Sequence, residues 1–207
     1  MALQCLKVNR FILRPLSFIG ILSLLLLAGA CQEPATQKPA PVKALYFDVP
    51  GFIQSQATLL EQENPGALKS VVENHQPRER KKLHNLKWSR ELAVFAGLDL
   101  NKPAFRNTFT VTRRPAAGGG VTETYRQKPG TEGDISLLSV TTGPGQQVRA
   151  LRAIRSNANP LIASSQELAL TCKDKDGRSR IHTFRIAGRQ KPIIFDSLSY
   201  LIITEIQ

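Results

Sequence analysis

Cys172 and His182 are the first residues to weigh, because a thiol beside an imidazole is the smallest pair that can form an activated nucleophile. Both lie in alternating apolar stretches, Leu168-Ala-Leu-Thr-Cys172 and His182-Thr-Phe-Arg-Ile186, joined by the turn-rich Asp174-Lys-Asp-Gly177. A hairpin that places Leu168, Leu170 and Cys172 on the face of His182, Phe184 and Ile186 needs an even sum of paired positions, for example 170 with 184, a register that seats Cys172 opposite His182. No oxyanion feature, Gly-x-Ser-x-Gly elbow or phosphate-binding glycine loop accompanies the pair. Cys172 therefore reads as a small apolar core residue, and no enzyme is expected. Asp174-Lys-Asp176-Gly177 has the opening oxygens of a calcium loop without the third ligand or the closing Glu, so it reads as a hairpin turn. His75, His84 and His182 lack the close spacing of a helical zinc pair, and neither a metal nor a cofactor is expected.

Cys31 carries a different chemistry. Lys7, Arg10 and Arg14 precede an acid-free apolar run, Leu16 to Ala30, with small residues at its end. That is the layout of a secretory signal, with a charged start, an apolar centre and a cleavage region. The run has about fifteen residues, and at ~1.5 Å per residue it falls short of a ~30 Å hydrocarbon core. Ala28-Gly-Ala-Cys31 resembles the lipobox of bacterial lipoproteins, with Ala28 rather than the commoner Leu three places before the cysteine. The resemblance implies a diacylglycerol on the Cys31 thiol, cleavage before Cys31 and acylation of the new amine. Gln32 follows, where an Asp would imply retention in the inner membrane, so the outer membrane is the expected site, with the domain in the periplasm or at the cell surface.

The domain boundaries follow: signal peptide 1–30, lipidated Cys31 and tether 31–43, and one domain over 44–207. Gln32 to Val42 holds three prolines and few apolar residues, a semi-extended segment of ~3 Å per residue that spans roughly 30 Å. Loss of residues 1–30 removes three positive charges and no acid, so the net charge falls from +12 to +9. The 177 residues left of 207 suffice for one cored domain. Of the three cysteines, Cys5 leaves with the signal and Cys31 carries lipid, so Cys172 has no disulfide partner. A basic chain suggests nucleic acid, but a secreted, anchored one meets anionic lipid or polysaccharide instead, and no nucleic acid is expected. The densest cluster, Arg78, Arg80, Lys81 and Lys82, is the candidate patch for such a surface.

The elements that must hold these residues are legible by period. Asp48 caps a helix with Pro50 in its first turn and an apolar stripe through Phe52, Ile53, Gln56, Leu59, Leu60 and Glu63, stopped at Asn64-Pro-Gly66. Leu68 to Glu73 and Arg80 to Leu86 flank a turn, and a second short helix starts at Ser89. From Phe105 the period becomes two, with strands expected at 105–112, 121–127, 135–142, 147–155, 161–172, 178–187 and 193–206. Short links make neighbours antiparallel. The expected fold is α+β: a curved antiparallel meander of about six or seven strands with two short N-terminal helices. The last strand is apolar on both faces, so Phe195, Leu198, Tyr200 and Leu201 are the candidate ligand or partner surface.

The phrase Trp88-x3-Leu92-x2-Phe95 followed by Asp99-Leu-Asn-Lys-Pro103 is similar to one in uncharacterised lipoproteins of Bacteroidetes-type bacteria, which implies no activity. In form, a helix-bearing curved sheet on a lipid tether resembles the lipoprotein carriers of the Lol system. The expected function is a non-enzymatic, lipid-anchored envelope protein that binds a protein or glycan partner. The second expectation is a lipid or lipoprotein carrier with an apolar cavity in the sheet.

Overall fold

Asp48 begins the first helix by accepting a hydrogen bond from the Gly51 N–H at 3.0 Å. The helix, α1, spans Val49–Glu63 and ends at Asn64, whose φ of 47° is left-handed and whose N–H donates to the Leu60 carbonyl. Cap, first-turn proline and stop all fall where the sequence places them. The computed structural model describes residues 44–207, which form one compact unit. The signal peptide, Cys31 and the tether lie outside the described residues.

After α1 come β1 (Ala67–Glu73) and β2 (Gln76–Leu83), the short helices α2 (Trp88–Glu91) and α3 (Ala93–Ala96), and a 3-10 turn at Pro103–Phe105. Seven strands follow: β3 (Phe109–Ala116), β4 (Gly120–Gln127), β5 (Ile135–Thr142), β6 (Val148–Ala158), β7 (Ile162–Lys175), β8 (Arg178–Pro192) and β9 (Leu198–Ile206). All pair antiparallel in one open sheet of order β2-β1-β9-β8-β7-β6-β5-β4-β3. The fold is mainly β, not α+β. The sheet has nine strands rather than six or seven, because β1 pairs with β9 along its whole length and adds the N-terminal hairpin to the meander.

Three further departures have local causes. Phe105 belongs to the 3-10 turn and β3 starts four residues later, since Pro103 favours a helical turn. The turn between β1 and β2 is tighter than expected, with Asn74 and His75 both at positive φ, the backbone of a two-residue hairpin. Residues 193–197 form a loop instead of opening the last strand, while β8 runs on to Pro192.

The helices cover one face of the sheet. Phe95 meets Phe184 edge to face at 5.9 Å, and Tyr46 packs on Phe109 and Tyr125 at 5.7 and 5.6 Å. Trp88, Leu92, Leu98, Leu138, Leu151, Leu168 and Leu170 complete this buried interior. The two edge strands, β2 and β3, carry Pro77 and Pro115 with dense Arg and Lys, features that oppose edge-to-edge association.

Candidate binding groove on the uncovered sheet face

Among the described residues no helix lies over the second face of the sheet, and its side chains follow from the register. One row runs Val72, Leu201, Ala187, Glu167, Ile154, Leu137 across six strands. The next runs Ser70, Ile203, Arg185, Ala169, Arg152, Ser139. A groove of about 470 Å³ lies across these rows, with Val72 and His75 at one end, Ile154 at the other, and Arg185, Arg189, Ser165, Ser199 and Leu201 between. Val72 and Ile154 stand four strand spacings apart, about 19 Å at ~4.8 Å each.

The groove has an apolar floor and a basic rim. Glu167 is ion-paired with Arg152 at 2.8 Å, whereas Arg185 and Arg189 have no ion-pair partner among the described residues. The strand cations Arg80, Lys82, Arg114, Arg126, Arg152, Arg185, Arg189 and Lys191 face this side, against Glu167 and Glu205. Such a one-sided field attracts acidic groups.

Tyr200 borders the groove from behind. Its ring lies over Gly188, where an added Cβ would sit 2.3 Å from the ring, and its hydroxyl accepts a hydrogen bond from Gln166 Nε2 at 3.0 Å. Beyond it, Asp134, Arg155, Asn157, Gln190 and Tyr200 line a polar dent of about 230 Å³.

The residues picked from the sequence are separated by the fold. Leu201 lies in the groove row, and Leu198 and Tyr200 project to the helix-bearing side. Phe195 is exposed in the loop before β9. Arg80 and Lys82 share the groove face, Lys81 faces the other way beside Lys69, and Arg78 sits at a register shift and pairs with Glu73 at 3.3 Å. They line an exposed edge strand and do not form one patch. The alternation of β8 puts Arg185, Ala187 and Arg189 on one face, but only the strand order sets Val72, Leu201 and Ile154 beside them.

Leu170 pairs with Phe184, one of the registers that put both apolar sets on one face, but the register shifts after Thr171. Cys172 therefore pairs with Ile181, and His182 is the extra residue of a bulge. The bulge is held from α1: Gln56 accepts from the Ile181 N–H and donates to the Ser179 carbonyl, both at 2.9 Å. Burial pushes the Cys172 thiol up to about 11, the opposite of activation, with Ser179 as a weaker opposing hydrogen-bond partner. Cys172 borders a dent with Val148, Arg149 and Ser179, and His182 a separate one with Leu60 and Ile206. Asp174 Oδ1 accepts from the Gly177 N–H at 3.0 Å, and Asp176 and Gly177 take the positive φ of a hairpin turn. No cluster of three metal-ligating side chains occurs among the described residues. The chain matches no protein-family model, no curated protein and no solved structure at a significant level.

Proposed function

We propose that the chain is a lipid-anchored envelope protein, attached to the outer membrane through Cys31, whose uncovered sheet face binds an acidic glycan or protein partner without catalysis. The observation that carries this reading is the groove itself: an apolar floor, two arginines without acidic partners, and hydroxyls from Ser165 and Ser199. Hydrogen-bonding side chains over an apolar floor suit a sugar ring or an extended chain, and the unpaired arginines select for negative charge. Chromatography of the full chain in detergent on immobilised dextran sulfate tests it. The Arg185→Ser/Arg189→Ser variant should elute at clearly lower salt than the Lys81→Ser/Lys87→Ser variant, which removes the same charge elsewhere. Equal shifts for the two variants would reduce the binding to net charge.

The carrier reading draws on the apolar row Val72, Leu201, Ala187 and Ile154. It competes less well, because the helix-bearing side is filled by aromatic and aliphatic side chains and the groove opens to solvent. A co-purifying lipid seen by native mass spectrometry, lost in Leu201→Asp, would favour it.

A further inference from the structure

Isolated exposed apolar residues are ordinary on a protein surface, but four large ones gathered at two adjoining turns are not. Leu161, in the turn between β6 and β7, is 75% exposed, and Ile193, Ile194 and Phe195, in the loop between β8 and β9, are 71%, 84% and 76% exposed. The two turns are one structure: the Ile193 N–H donates to the Leu161 carbonyl at 3.1 Å, and Asn159 Oδ1 accepts from both Leu161 and Ile162 N–H groups. The tip is therefore a built feature, held by backbone bonds that give its side chains no burial.

Its position gives it reach. Val111, Tyr125, Leu138, Ala153 and Leu168 form one row across the sheet. From that row β3 extends two residues to Phe109, whereas β7 extends six to Ile162, which pairs with Pro192. The β7–β8 end thus projects about 13 Å past the start of β3, at ~3.3 Å per residue. Tyr46, near the entry of the described chain, packs on Phe109, so the chain enters at the same end of the sheet as the tip. Just behind the apolar residues stand Lys191 and Arg189, on the side chain rows of Ala163 and Ser165, and Asp196 is the tip's single acid.

We propose that this tip inserts into an anionic phospholipid bilayer, with Ile193, Ile194, Phe195 and Leu161 in the acyl boundary and Lys191 and Arg189 at the headgroups. The order of chemistry along the projection, apolar end then basic collar, matches the depth profile of such an interface. The inference leans on the anchored reading for the presence of a membrane nearby: twelve residues lie between Cys31 and Ala44, and a tether of that length at ~3 Å per residue would let the tip meet the bilayer that holds the anchor. It goes beyond that reading by fixing which end of the domain meets lipid, with Arg189 standing where the headgroups meet the near end of the groove.

Nitroxide labels on Phe195→Cys and, at the opposite end of the sheet, Asp176→Cys test it, both in a Cys172→Ala background. The full chain is reconstituted into vesicles of phosphatidylcholine with phosphatidylglycerol, and collisions with oxygen and with a water-soluble nickel chelate are compared. The label at 195 should be open to oxygen and shielded from nickel, with the reverse at 176. Lys191→Glu should weaken the effect about fivefold. Nickel access at 195 equal to that at 176 overturns the proposal, and so does an immobile label shielded from both, which means that a protein or a second copy covers the tip. Intact mass of the same sample reports acylation of Cys31 separately, so an unlipidated chain with an inserted tip refutes the anchor alone, and a lipidated chain with a wet tip refutes the tip alone.

Discussion

Gln56 is 4% exposed on a helix stripe where an aliphatic residue would be ordinary, and its amide explains why it is there. It bonds the Ile181 N–H and the Ser179 carbonyl, in the stretch of β8 just before the bulge. Gln56→Leu keeps the volume and leaves both groups buried and unpaired, so the chain should lose about 2–3 kcal/mol in chemical denaturation. The same side chain accounts for the separation of Cys172 and His182: by stabilising the bulge it takes His182 out of register with the thiol. Gly188 is a second such residue. An alanine Cβ there meets the Tyr200 ring, and Gly188→Ala should cost about 1–3 kcal/mol and break the Gln166 hydrogen bond, whereas in a Tyr200→Ala background the same change should be nearly silent.

Among the elements, α1 and α2 are joined by a carboxylate. Glu61 Oε1 accepts from the Ser89 N–H at 3.0 Å, in the first turn of α2. Hydrogen bonds from Ser89, backbone first and then side chain, hold the Glu61 carboxyl below its ordinary 4.5, with Lys87 adding a smaller pull. A group whose value is depressed in the folded state stabilises above its unfolded value and loses that contribution as pH falls through the folded one. Denaturation midpoints of wild type and Glu61→Gln should therefore differ at neutral pH and converge once the pH falls below the depressed folded-state value. The helix α1 itself was fully legible, since Asp48, Pro50 and Asn64 act through their own backbone. The last strand was not: residues 193–197 are as β-competent as those that follow, and only the length of β8 and the pairing of β9 with β1 decide that they form a loop.

Across the whole molecule, the open sheet separates three surfaces: a filled helix side, a basic grooved side and a projecting apolar tip. Retention on an acidic polysaccharide should fall steeply with salt, since the cations of the grooved side are spread over exposed strands and screened at a Debye length of ~8 Å. The sequence by itself determined what local chemistry can dictate: the cap, first-turn proline and stop of α1, the hairpin turn within Asp174–Gly177, and the antiparallel order of consecutive strands. Tertiary structure alone decided the rest. The pairing of β1 with β9 joins residues more than a hundred positions apart, and no local period encodes it. The bulge at Ile181 depends on a helix residue 125 positions away. The groove exists because rows from six strands align, and the tip because two separate turns share one backbone bond. A period of two says that a strand has two faces; only the order of the strands says what each face meets.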